Sequence, residues 1–129
     1  MKPIVLLIED HEQNRYLATF LLEKHGYTVV AACDGPAGIL LAATAEPALI
    51  LLDIQLPLMS GYEVAEELRK ILSLREVPII AVTSYAMAGD REKSLAAGCA
   101  GYIEKPINPD TFVSEIERFL PQKPKGGSA

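Results

Sequence analysis

Ala48-Leu49-Ile50-Leu51-Leu52-Asp53 is a run of five apolar residues closed by one carboxylate, with Pro47 before it and Pro57 soon after. An unbroken apolar run of that length between prolines predicts a strand buried on both faces, as in the middle of a parallel sheet. A parallel strand delivers its last residue to the carboxyl edge of the sheet, the rim where open α/β sheets bind ligands. Asp53 is therefore either a solvated loop acid or the reactive group of a site. The strand alone does not choose.

Outward from it, the same pattern recurs. Ile4-Val5-Leu6-Leu7-Ile8 is a second buried-type strand and ends in Glu9-Asp10. Pro78-Ile79-Ile80-Ala81-Val82 ends in Thr83-Ser84, and Ala100-Gly101-Tyr102-Ile103 runs into Glu104-Lys105-Pro106. Tyr27-Thr28-Val29-Val30-Ala31 is shorter and more polar, which suits a sheet edge. Helical spacing fills the intervals. Tyr16, Leu17, Phe20 and Leu21 are expected on the buried side of the first helix, which Lys24-His25-Gly26 closes with cations in the last turn and glycine past it. Asp34-Gly35-Pro36 opens a second helix, with proline in its first turn and Ile39, Leu40 and Leu41 as its apolar side.

Ser60-Gly61-Tyr62-Glu63 has the Ser-x-x-Glu form of a capping box. The helix it starts carries Val64, Ala65, Leu68, Ile71 and Leu72. A fourth helix over residues 88–97 has a thin apolar stripe and is expected to be loosely held. Asn108-Pro109 is read as the cap of a fifth, with Phe112, Val113, Ile116, Phe119 and Leu120 on one face and Pro121 as its stop. Five strands alternating with five helices predict a doubly wound α/β domain, the flavodoxin-like (βα)5 arrangement in strand order 2-1-3-4-5. That order sets the two most apolar strands side by side at the topological switch point and the polar second strand at an edge.

Composition narrows the function. At 129 residues the chain is one domain, half hydrophobic, with a formal net charge of −5. Without clustered Lys and Arg, a nucleic-acid backbone is not the expected partner. The apolar run after Met1-Lys2-Pro3 is too short for a signal peptide, and no run approaches a membrane span, so a soluble cytoplasmic protein is expected. Cys33 and Cys99 lie too far apart in sequence for a redox or metal pair and are expected to be core thiols. His11 and His25 show no zinc-ligand spacing.

The strand ends bring Glu9, Asp10, Asp53, Thr83 and Lys105 to one rim. Three carboxylates there repel one another, and unpaired burial would push at least one pKa up; a divalent cation removes the conflict. Oxygen ligands on a solvent-facing rim suit Mg²⁺. Lys105 is a flexible point charge able to pair with Asp53 or with an added phosphoryl oxygen, and Thr83 offers a hydroxyl donor.

In Ile8-Glu9-Asp10, Leu52-Asp53-Ile54-Gln55-Leu56-Pro57, Ser60-Gly61, Val82-Thr83-Ser84 and Tyr102-Ile103-Glu104-Lys105-Pro106 the chain resembles the receiver domains of two-component response regulators. The wording of residues 53–57 and 84–87 is similar to the short stand-alone regulators of bacterial cell-cycle control. The resemblance covers residues 3 to about 120 and implies a receiver domain over residues 1–121, while the polar, Gly- and Lys-containing stretch 122–129 is expected to be a disordered tail. It implies that Asp53 is the phosphoacceptor, charged by a sensor histidine kinase or phosphotransfer protein. Mg²⁺ would be held by Asp10, Asp53 and the Gln55 carbonyl, with Glu9 acting directly or through water.

By the same resemblance Thr83 and Lys105 would bind phosphoryl oxygens, and Thr83 and Tyr102 would carry the switch. Gln55 and Tyr85 would tune hydrolysis, and the Lys105-Pro106 peptide would be cis. Glu9 stands where the family more often has Asp. The implied product is a phosphorylation-dependent signalling switch whose output is contact with a downstream protein target. It is not a conventional enzyme, although it assists its own phosphorylation and dephosphorylation. Two rivals differ in one feature each. An aspartyl phosphatase wants a second acid where Gln55 stands, and a phosphorylation-independent binding module would more often lack one of Asp10, Asp53, Thr83 or Lys105.

Overall fold

The computed structural model describes residues 3–84 and 89–120. Five parallel strands form one sheet in the order β2-β1-β3-β4-β5. They are β1 (Ile4–Ile8), β2 (Thr28–Ala32), β3 (Leu49–Asp53), β4 (Ile79–Thr83) and β5 (Gly101–Glu104). Helices α1 (Glu12–Lys24), α2 (Gly35–Ala45), α3 (Gly61–Arg69), α4 (Asp90–Ala96) and α5 (Phe112–Glu117) alternate with them. The expected topology is the observed one.

The sheet separates two apolar layers, and strand periodicity decides which residue enters which. Leu6, Ile8, Ile50, Leu52, Ile79 and Ala81 face α2 and α3. Val5, Leu7, Leu49, Leu51, Ile80 and Val82 face α1 and α5. Every residue of β3 and β4 is buried, so neither strand shows the polar alternation of a half-exposed sheet. Register carries the strand ends together, with Ile8 opposite Leu52, Asp53 opposite Val82 and Thr83 opposite Glu104.

Local chemistry sets the helix starts. Asp34 accepts a hydrogen bond from the Ala37 amide at 2.9 Å, and Ser60 with Glu63 forms the full capping box that opens α3. Gly61 places α3 against the end of β3. A Cβ there would lie 2.6 Å from the Asp53 carbonyl oxygen, while the Gly61 amide donates to Ile54 O at 2.8 Å.

Several expectations need correction. Tyr16 is 74% and Phe20 52% exposed, because α1 packs through Ala18, Leu21 and Leu22 instead. In α2 the buried residues are Gly35, Gly38 and Ala42, and Leu40 faces solvent. α3 ends at Arg69, so Leu72 belongs to a short 3-10 turn and is exposed. Asn108 does not cap α5. Its side chain accepts from the Asp110 amide, and the helix starts after Thr111. Cys99 is a core thiol, its pKa pushed up to about 11 by burial, but Cys33 is exposed. Among the described residues no helix is long and apolar enough to cross a membrane. The expected tail over 122–129 and the stop at Pro121 lie outside the described residues.

Candidate functional site

Each polar group at the carboxyl edge is placed by the backbone that precedes it. β1 ends at Ile8, and the Glu9 amide still bonds Ala32 O at 3.0 Å, which fixes the direction of the next two acids. Arg15, one turn into α1, donates Nη1 to the carbonyls of Glu9 (3.0 Å) and Asp10 (3.2 Å) and fastens that loop to the helix. Asp53 is the last residue of β3. Past β5, the Lys105 amide bonds Thr83 O at 2.8 Å, so the end of β4 positions the lysine. Lys105-Pro106 is a cis peptide.

The side chains then converge. Lys105 Nζ lies 3.1 Å from Glu9 Oε1 and 3.2 Å from Asp53 Oδ2. Asp53 Oδ1 accepts the Gln55 amide at 3.0 Å. Glu9, Asp53 and Thr83 are almost entirely shielded from solvent, whereas Asp10 is partly open. Burial is the main reason the Asp53 carboxyl rises to a pKa of about 6. The Gln55 amide opposes the rise, Glu9 reinforces it, and Lys105 opposes it. The sequence reading expects burial among crowded carboxylates to push one pKa up, and here desolvation is the larger cause and Glu9 the smaller. Burial pulls Lys105 down, but Asp53 and Glu9 outweigh it and hold the ammonium above its ordinary pKa.

The donor set fits a hard divalent cation. One oxygen from each of Glu9, Asp10 and Asp53, with a His11 ring nitrogen, lie within 4.8 Å of one another. Among the described residues the buried Oδ1 of Asp10 and Oδ2 of Asp53 have no hydrogen-bond partner, although the first lies near the His11 ring and the second keeps its ion contact with Lys105. Oxygens left so, beside three carboxylates and one ammonium, leave room for positive charge. His11 is the neighbour that the sequence reading passed over. Its Nδ1 is 3.3 Å from Asp10 Oδ1 and 3.5 Å from Glu9 Oε2, and its amide donates to Glu9 Oε2 at 3.1 Å. Adjacency to Glu9-Asp10 was the available signal, but the ring's direction depends on how α1 starts.

Of the other sequence candidates, Gln55 is exposed and contributes its amide to Asp53. Tyr102 is half-buried on β5 and lines a surface cavity of about 540 Å³ together with Lys105, Asn108, Thr111 and Glu115. Thr83 ends β4 beside Asp53 in the sheet. Tyr85 lies outside the described residues. The sequence candidates that the structure draws into direct ionic contact are thus Glu9, Asp53 and Lys105, with Asp10 alongside.

Comparison with known proteins gives a consistent result. A family profile described as the response regulator receiver domain matches residues 5–117. The Brucella ovis polar-differentiation response regulator DivK is 42% identical over 120 residues, spanning 93% of this chain and 98% of that protein. The receiver domain of the Pseudomonas aeruginosa sensor histidine kinase PA1611 is described with a magnesium ion coordinated in its active-site cleft. It aligns with a TM-score of 0.85 at 34% identity, over 92% of this chain and 98% of that one. Chemotaxis response regulator CheY4 of Vibrio cholerae gives a TM-score of 0.89 at 28% identity, over 93% and 100%.

Proposed function

This chain belongs to the response regulator receiver domains, the phosphorylation-dependent switches of two-component signalling, and from that membership we propose a role for each residue of its site. Asp53 takes the phosphoryl group from a phosphohistidine on a sensor histidine kinase or phosphotransfer protein. A carboxylate oxygen attacks phosphorus in line, the P–O bond forms as the P–N bond breaks, and the departing imidazole takes up a proton. The domain then presents an altered face to a downstream protein target. The supporting observation is the Asp53 carboxylate itself, buried at the end of the central strand and 3.2 Å from Lys105 Nζ.

Asp10, Asp53 and the Gln55 carbonyl would hold Mg²⁺, with Glu9 acting directly or through water. Bound there, the ion supplies positive charge against the phosphoryl oxygens in transfer. Lys105 contributes the second positive charge from its existing position. Thr83 donates its hydroxyl to a phosphoryl oxygen, worth about 1.5–3 kcal/mol as a charge-assisted hydrogen bond. Moving a two-state switch from 1:99 to 99:1 takes about 5.5 kcal/mol, so Thr83 does not suffice. Lys105, an inward turn of Tyr102 and the target's own binding supply the rest. Gln55 and Tyr85, two residues past Asp53 and Thr83 in the sequence, set how fast water removes the phosphoryl group, so the domain assists both its charging and its discharge.

Incubation with acetyl phosphate and Mg²⁺, followed by intact mass, tests the assignment. The parent gains one phosphoryl group transiently and Asp53→Asn gains none. Equal gain in the variant would assign the acceptor elsewhere, and turnover of a foreign phosphoester would make the site a phosphatase.

A further inference from the structure

Helices α2 and α3 enclose a groove that the phosphoryl chemistry does not use. α2 carries no charged residue in its eleven positions, GPAGILLAATA. It meets the sheet with its smallest side chains, Gly35, Gly38 and Ala42. At Gly38 the helix lies so close over Ile8 that a Cβ would run into that side chain. This close seat leaves the bulky residues on the far side, where Ile39 is half-buried and Leu40 is 74% exposed. An uncharged helix with a bare leucine next to a groove gains nothing from water there.

The opposite wall is acidic. Glu63, Glu66 and Glu67, spaced for one face of α3, line the same cavity of about 490 Å³ with Pro36, Leu40 and Met59. Lys70 pairs with Glu67 at 2.8 Å, and Arg69 turns inward to backbone carbonyls. Among the described residues, three carboxylates on this wall therefore face one ammonium. A second copy of this chain would bring a like-charged rim to the groove, and an anionic lipid surface would be repelled by it.

We propose that the α2–α3 groove docks a basic amphipathic helix of a protein partner. Its apolar stripe lies against Ile39, Leu40 and Met59, and its Lys or Arg edge faces Glu63, Glu66 and Glu67. This surface is separate from the phosphoryl site, and the proposal stands whether or not Asp53 is the acceptor.

The test uses the full chain and a fluorescein-labelled synthetic peptide of about 18 residues, five helical turns. The peptide has leucine along one face and lysine on the other, and anisotropy is read at about 0.15 M salt. Leu40→Ser and Glu66→Lys each weaken binding about tenfold, whereas Glu23→Lys on α1 changes it less than about twofold. A Leu/Glu peptide of the same pattern does not bind. All three substitutions fall on exposed positions, and unchanged melting temperatures verify the fold. No binding by the Leu/Lys peptide, an undiminished Leu40→Ser, or equal effects of Glu23→Lys and Glu66→Lys would each overturn the proposal. So would self-association of the parent in sedimentation that Leu40→Ser abolishes, since the occupant would then be a second copy.

Discussion

Burial makes the charged form of Asp53 less favourable in the folded chain than in the unfolded one. Its pKa rises from 3.8 to about 6, so folding takes up a proton between those values. For this carboxyl, stability is greatest below about pH 4, falls as pH rises through 6, and stays low above. Without metal, Asp53→Asn should melt above the parent at pH 7.5, by at most about 3 kcal/mol, two pK units at 1.36 each. That gap should close toward pH 4, and a pH-independent gap in thermal melts would contradict it. Lys105 has the same sign in a more alkaline window. Its raised pKa means its stabilisation is complete at neutral pH and is lost only when alkali deprotonates the amine. Lys105→Ala leaves two buried carboxylates facing each other and should cost about 3–5 kcal/mol in urea unfolding at pH 7.5. The acids and the lysine were legible in the sequence because each follows an apolar strand directly. His11 was not, since the approach of its ring depends on side-chain direction at the start of α1. Cys33 was misjudged because small neighbours suggested a core and the chain there is a surface connection.

At the scale of elements, the strands were easier to read than the helices. Continuous apolar runs define β1, β3 and β4, but a helix built on small residues hides its buried face. Gly35, Gly38 and Ala42 anchor α2, and Ala18 shares that task in α1, while the larger Tyr16, Phe20 and Leu40 stay outside. Hydrophobicity ranks those residues in the wrong order for burial. The end of α3 depends on a contact no pattern announces. Arg69 Nε donates to Gly98 O at 2.9 Å, and its Nη1 donates to Leu74 O and Val77 O, both at 2.8 Å. One guanidinium thus binds α3, the 3-10 turn and the turn before β5. Arg69→Met should cost about 2–4 kcal/mol by urea unfolding, from carbonyls left unsatisfied. Arg69→Lys should recover less than half, since one ammonium does not reproduce the planar fork. Gly98 takes φ +108 with the arginine stem against it, so Gly98→Ala adds backbone strain at the same junction.

Across the whole molecule, topology was the most legible property. Alternating strands and helices with two apolar central strands leave few right-handed arrangements, and the chain adopts the expected one. α4 runs over Asp90–Ala96 and leaves Leu95 46% exposed, so a weak hold on the domain remains the expectation there. A switch built on such a domain should move where packing is thinnest. With beryllium fluoride and Mg²⁺ as the phosphoryl mimic, hydrogen exchange should change along α4, β5 and α5 and stay constant in β1 and β3. Thr83→Ala should reduce that change without abolishing it; identical exchange with and without the mimic would place the response elsewhere.

Lys105 stands almost midway between Glu9 Oε1 and Asp53 Oδ2, at 3.1 and 3.2 Å. An amine already divided between two anions can hand one of them over to a newcomer and never stand alone. On the proposed chemistry, the incoming group joins a queue of acceptors around a cation that is dehydrated beforehand. The event is a change of grip, in which the ammonium shifts part of its hold from the two carboxylates to the incoming oxygen.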